Sequence, residues 1–187
     1  MKRCEWSESE AMQAYHDNEW GIPLHDDRTL FEFLILEGAQ AGLSWATILK
    51  RRNTYNKAFD NFDVNKVANY TEKDFERLMQ DPGVIRNKLK IRAAIKAAQL
   101  VLEIKKEFKT LDNYLWQFVS HKPIDNKIKS MKDIQATTKE SDEMSSHLKK
   151  RGFSFVGSTI CYAFMQAVGM VNDHEVTCPR YQTCKKS

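Results

Sequence analysis

No apolar run in this chain approaches the roughly 18 residues that a membrane-spanning helix needs. The opening Met1-Lys2-Arg3-Cys4-Glu5-Trp6 lacks the apolar core of a secretory signal. Glycine and proline are scarce, seven and four among 187 residues, and no segment sustains a two-residue alternation. Internal repeats and low-complexity stretches are missing as well. These absences predict a cytoplasmic, all-α protein with no membrane partner. What is present excludes disorder: 42% hydrophobic and 29% charged residues is the composition of a soluble globular chain. The length suffices for a single domain over 1–187, or for two helical lobes with a pocket between them. In a reducing compartment the four cysteines are available to a metal rather than to disulfides. A net charge of +4 is a mild tilt toward polyanions and decides nothing alone.

The most informative stretch is Leu34-Ile35-Leu36-Glu37-Gly38-Ala39-Gln40-Ala41-Gly42-Leu43-Ser44-Trp45. Counted helically, Leu30, Phe33, Leu34, Glu37 and Ala41 share one face, so a carboxylate interrupts an apolar stripe. An acid there is costly to leave charged and unpaired, and it needs a partner or a purpose. Two glycines, a glutamine, an exposed-looking Leu43 and a tryptophan follow at once, as a pocket wall with a loop at its mouth requires. On this segment alone, a structural ion pair between Glu37 and a neighbouring Lys or Arg, with Gly42 merely ending the helix, is the commoner arrangement.

The rest of the chain reads as a series of helices. Residues 8–17 form the first, and Gly21-Ile22-Pro23 follows as a stop. Asp26 or Asp27 caps the helix that carries Glu37. Ser44 caps another through Trp45, Ile48 and Leu49, ending in Lys50-Arg51-Arg52. Thr71-Glu72-Lys73-Asp74 is a capping-box pattern before Phe75, Leu78 and Met79. Beyond Asp81-Pro82-Gly83, a long helix aligns Ile91, Ala94, Ile95, Ala98 and Leu102. Arg86, Lys90 and Arg92 fall mostly off that face and are expected to be solvated. A helix over Leu111–Phe118 precedes a polar surface connection at 121–137. Ser141 then opens a helix ending in Lys149-Lys150-Arg151, Gly152 stops it, and Phe153 packs back. Val156-Gly157-Ser158-Thr159 opens the next, with Ile160, Cys161, Phe164, Met165 and Val168 on its apolar side.

Three constellations carry chemistry. The hairpin Gly152–Gly157 leads small residues into a helix N-terminus, where backbone N–H groups can hold phosphate without reading sequence. Lys149, Lys150 and Arg151 would add attraction, although a solvated basic helix end has the same composition. His174 and Cys178 stand one helical turn apart, and Cys4 with His16 lies near the other terminus. Two thiolates and two imidazoles suit a closed tetrahedral zinc site, but this separation matches no short zinc-finger spacing. Cys161 reads as a plain buried thiol and Cys184 as a competitor of Cys178. Finally, Trp6, Tyr15, Trp20 and Trp45 crowd near Glu37 in sequence. Aromatic faces around one carboxylate could hold a flat cation, although any one of them taken singly is more often core.

Taken together, Tyr15-His16-Asp17-Asn18-Glu19-Trp20-Gly21-Ile22-Pro23, the Leu36–Trp45 block and Arg151-Gly152-Phe153-Ser154-Phe155-Val156-Gly157 resemble signatures of the bacterial 3-methyladenine DNA glycosylase I (Tag) family. Gln80-Asp81-Pro82-Gly83-Val84-Ile85-Arg86 resembles that family too, so the similarity spans essentially the whole chain. The resemblance implies an all-α helix-hairpin-helix glycosylase fold, with the hairpin at Gly152–Gly157 and DNA contacts at Gly152, Val156, Gly157 and Ser158. It implies a structural zinc on Cys4, His16, His174 and Cys178 that joins the N- and C-terminal ends. It places a base pocket on Glu37, Tyr15, Trp20 and Trp45 with Trp6 nearby, Glu37 being the candidate catalytic residue. Gln40, Gly42 and Leu43 resemble the tip that probes the gap left by an extruded base.

The implied activity is hydrolysis of the N-glycosidic bond of 3-methyladenine in alkylated double-stranded DNA, a base-excision repair step, by an expected monomer. Members often carry an aromatic three residues before the tyrosine of the first block, where this chain has Met12. Asp173, downstream of the hairpin, adjoins His174 and is expected to support the metal. No lysine occurs between Gly157 and Lys185, which favours a monofunctional hydrolase over a Schiff-base lyase. A non-catalytic zinc-stapled DNA-binding module, and a glycosylase for another lesion such as 7-methylguanine, are the alternatives.

Overall fold

The computed structural model describes residues 3–186; Met1, Lys2 and Ser187, the ends of the expected 1–187 domain, lie outside it. Ten α-helices occur among the described residues. In chain order they are α1 Glu10–Asn18, α2 Asp27–Gln40, α3 Trp45–Ala58, α4 Val64–Ala68, α5 Glu72–Gln80 and α6 Lys88–Phe108, then α7 Leu111–Trp116, α8 Lys139–Arg151, α9 Ser158–Ala167 and α10 Pro179–Lys186. Among the described residues the only strands are a parallel pair of two residues each, β1 Ile124–Asp125 with β2 Val171–Asn172.

α2 is the axis of the molecule. Every residue from Leu30 to Ala39 is buried, and α3, α6, α7 and α9 pack around it. A helix buried on nearly every side is mostly apolar, and each large apolar side chain sealed there contributes about 1.5–3 kcal/mol. Leu30, Phe31 and Leu36 are wholly inaccessible. The Asp26 carboxylate accepts the Thr29 N–H at 2.9 Å and starts the helix.

Most expected boundaries are present. Ser44 caps α3, and the Thr71–Asp74 box opens α5. Gly152 stops α8 at φ +99°, a left-handed conformation that glycine adopts without strain, and Phe153 is buried behind it. Others move for physical reasons. α3 continues past Lys50-Arg51-Arg52 to Ala58, because Tyr55 and Ala58 are buried and Arg52 turns inward to carboxylates. Thr138, not Ser141, caps α8, the two side chains exchanging bonds with each other's backbone N–H. The last expected helix before 121 ends at Trp116, and a 3-10 turn completes it. The 121–137 segment is more than a surface connection: it supplies β1, buries Ile128 and brings Met131 and Ile134 against the interior. Arg92 lies over the Phe75 ring and pairs with Glu72, while Lys90 is not simply solvated either, since its ammonium donates to two main-chain carbonyls.

Candidate functional site

Glu37 lies in the final turn of α2, only 3% exposed, and its Oε2 has no hydrogen-bond partner. Burial pushes its carboxyl up to about 8, so it keeps its proton at neutral pH. A second acid on the same helix, Glu32, is equally buried but accepts from Arg52 at 2.7 Å, Asn56 at 3.1 Å and Arg28 at 3.2 Å. The ion pair weighed for Glu37 is therefore found at Glu32, which sequence inspection did not single out.

Glu37 opens onto a cavity of about 240 Å³. Trp6, Tyr15, Trp20 and Trp45 all line it, brought there by the segment before α1, α1 itself, the turn after it and the start of α3. Trp6 meets Trp20 edge-on with centroids 4.8 Å apart, and Tyr15 tilts against Trp45 at 5.6 Å. Phe33 stacks behind Trp45 at 6.4 Å, so that wall is backed by core. The buried Trp45 Nε1 is a further polar atom without a partner. Burial and the neighbouring Glu37 raise the Tyr15 phenol above its usual range. Met12 completes the wall where the family resemblance leads one to look for an aromatic.

Met131, Ile134, Ala163 and Gln166 also line the cavity, and sequence inspection missed all four. The first two sit in a stretch whose polar composition hid an inward fold. Gln166 has an ordered amide: its Nε2 donates to the Asp173 carboxylate at 2.8 Å. Asp173 also accepts from the Tyr162 hydroxyl at 2.6 Å and Asn126 at 2.7 Å. Asp173 thus orders the pocket side rather than supporting the metal-ligand group.

Of the expected tip, Gln40 lines the cavity, Gly42 adopts φ +79°, and Leu43 is 41% exposed. At the hairpin, Gly157 and Ser158 begin α9 with no side-chain cap, leaving N–H groups at its end. The Val156 side chain is buried and its carbonyl accepts from Ser145, so only main chain is available there. Arg151 does not join Lys149 and Lys150 as a free cation, because Glu107 takes both its terminal nitrogens at 2.9 and 2.7 Å.

Cys4, His16, His174 and Cys178 converge from the two ends of the chain. All four are buried, and their ligand atoms lie within 4.8 Å of one another. The group can hold a metal. Cys4 Sγ is 3.6 Å from His174 Nδ1, and Cys178 Sγ is 3.5 Å from His16 Nε2, close to the edges of a tetrahedron around one ion. The remaining ring nitrogens face acceptors. His16 Nδ1 meets Asp17 at 2.8 Å and His174 Nε2 meets the Trp20 carbonyl at 3.1 Å, which leaves the inward nitrogens as lone pairs. Burial pushes the Cys4 thiol up to about 12 and the His174 imidazole down to about 4, so burial disfavours the charged form of each. At Gly21, a Cβ would come within 3.0 Å of His174 Nε2. Cys184 is buried but stays outside the group, so it does not compete with Cys178.

The family model for methyladenine glycosylase matches residues 6–181. The chain is 48% identical to DNA-3-methyladenine glycosylase 1 of Escherichia coli (strain K12) over 182 residues, 97% of each protein. A crystal structure of 3-methyladenine DNA glycosylase I (TAG) superposes with a TM-score of 0.92 at 46% identity, covering 95% of this chain and 98% of that one. A variant of a 3-methyladenine DNA glycosylase I (TAG) solved in complex with 3-methyladenine gives a TM-score of 0.92 at 34% identity, covering 96% of this chain and 97% of that one. By sequence over nearly its whole length and by fold, the chain belongs to the methyladenine glycosylase family.

Proposed function

We propose that the protein is a monofunctional DNA-3-methyladenine glycosylase that removes the base from alkylated double-stranded DNA. The observation that carries this reading is the buried Glu37, whose Oε2 has no partner, in the wall of an aromatic cavity large enough for one purine. The relatives' names supply the chemistry; the cavity explains how these residues perform it.

Methylation at N3 makes adenine cationic within the nucleotide, which weakens its bond to the sugar. The nucleotide swings out of the stack into the cavity. Tyr15, Trp20 and Trp45 lie against the charged ring, with Trp6 closing the far side. Glu37 releases its proton to solvent water as the cation arrives, then accepts hydrogen bonds from the adenine edge. A neutral pocket acid that ionises against a cation favours the charged base over unmodified adenine. The C1′–N9 bond breaks with its electrons on the base, which leaves neutral. Water adds its oxygen to C1′ and sheds a proton, giving an abasic site. The leaving group needs no proton, so Glu37 selects and holds the base more than it drives bond cleavage. Among the described residues, no lysine lines the cavity to open a Schiff-base path.

DNA would be held by the α8–α9 turn acting as a helix-hairpin-helix element, through Gly152, the Val156 main chain and the N–H groups of Gly157 and Ser158. Gln40, Gly42 and Leu43 would fill the gap left in the duplex. The Cys₂His₂ group fits zinc, bound as thiolates and imidazoles, and the ion would lock the two chain ends together behind Trp6 and Trp20. The reading takes the chain as one glycosylase domain over 1–187, a monomer working in the cytoplasm where thiols stay reduced.

The test is base release from methylated duplex DNA with chromatographic separation of products. Release of 3-methyladenine is expected. Release of 7-methylguanine instead would reassign the pocket, and salt-dependent binding without release, by folded protein, would make it a zinc-stapled binding module.

A further inference from the structure

α2 ends without a cation of its own, and the carbonyls of its last turn lack partners within the helix. The missing donor comes from α6. The Lys90 ammonium donates to the carbonyl of Ala39 at 2.8 Å and to that of Ala41 at 2.6 Å. A cation on the free carbonyls of a helix C-terminus is favourable by charge and by hydrogen bonding. These two carbonyls bracket Gln40, and Gly42 and Leu43 follow directly. Within the turn, the Leu43 N–H donates to the Gln40 carbonyl at 2.6 Å, but the Ala41 N–H reaches Gly38 only at 3.4 Å, a Cβ at Gly42 would meet nothing within 4 Å, and Leu43 is 41% exposed, so Lys90 is what ties the turn to another helix.

We propose that Lys90 is a positioning residue for DNA reading: it fixes the Gln40–Leu43 turn so that Leu43 meets the duplex in one orientation, without itself contacting DNA. Two of its three N–H donors are committed to the main chain, and partial burial lowers its pKa, so it is a poor phosphate ligand where it stands. The inference rests on the proposed role of Gln40–Leu43 as the part that enters the duplex.

The experiment compares Lys90→Met with Leu43→Ala in binding a duplex that carries a tetrahydrofuran abasic analogue, over a range of salt, and in binding free 3-methyladenine. For Lys90→Met the expected result is duplex affinity lower by about tenfold, an unchanged slope of log affinity against log salt, and unchanged binding of the free base. Lys90→Arg, which restores donors, should recover much of the loss, and Lys90→Gln serves if the methionine variant does not fold. A salt slope reduced by about one unit would make Lys90 a phosphate contact and overturn the proposal. So would equal losses of duplex and free-base binding, or no loss at all. Leu43→Ala binding like the unaltered protein would instead remove the reading of the tip on which the proposal stands, whereas loss there with none in Lys90→Met defeats the role of Lys90 alone.

Discussion

Glu32 and Glu37 lie on the same helix, 2% and 3% exposed, in opposite chemical surroundings. Glu32 is surrounded by Arg28, Arg52 and Asn56, while an oxygen of Glu37 has no partner. A buried carboxylate that is fully paired belongs to the framework. One left unpaired in a cavity is a cost borne by the fold, and a cationic ligand would relieve it. Arg52 makes the contrast sharper. From α3 it bonds Glu32 on α2 and Glu19 after α1, so it ties together the elements that bring Tyr15, Glu37 and Trp45 to the pocket.

The two acids should therefore fail differently. The largest effect is expected from Arg52→Met, which strands Glu32 without its main partner. Breaking one side of a buried pair costs about 3–5 kcal/mol, readable as a lower urea midpoint. Loss of metal should come next. Elemental analysis should find one zinc per chain, and chelation or Cys178→Ser should lower Tm by about 10 °C, given that roughly 1 kcal/mol corresponds to 2–4 °C at this size. Tm insensitive to chelation would remove the metal from the account.

The pH dependence isolates Glu37. Its carboxyl holds a proton to about pH 8 when folded but releases it near 4.5 when unfolded. At this group the folded state thus binds more protons across that window, and its contribution to stability falls as pH rises through it, by up to about 1.4 kcal/mol per pH unit. Glu37→Gln should flatten that slope and leave the protein no less stable at pH 8. A slope that survives the substitution would assign it to another group. The smallest change is expected from Met12→Tyr. An aromatic in place of the flexible thioether should tighten free 3-methyladenine binding by about 0.5–1.5 kcal/mol in titration.

The same pair shows what the sequence could and could not disclose. Glu37 stands out because an acid on an apolar helical face is legible from spacing alone. Glu32 does not, because its main partner arrives from α3, twenty residues away. Lys90 misleads for a related reason: helical spacing puts it off the core face, but the end of α2 lands on it. Caps at Asp26, Ser44, Thr71 and Gly152 were readable because each is local chemistry. Met131, Ile134 and Gln166 were not, since a polar segment folding over a cavity has no periodic signature. The four metal-ligand candidates were visible as types, but only the fold brings Cys4 and His16 to His174 and Cys178.

The most direct measurement is the titration of free 3-methyladenine into the unaltered protein and into Glu37→Gln at neutral pH. The unpaired-acid account predicts binding weaker by about tenfold or more in the variant, matching the 1.5–3 kcal/mol typical of hydrogen bonds to charged groups, with thermal stability undiminished. Equal affinity in the two proteins would show that the buried carboxyl of Glu37 is not what holds the base.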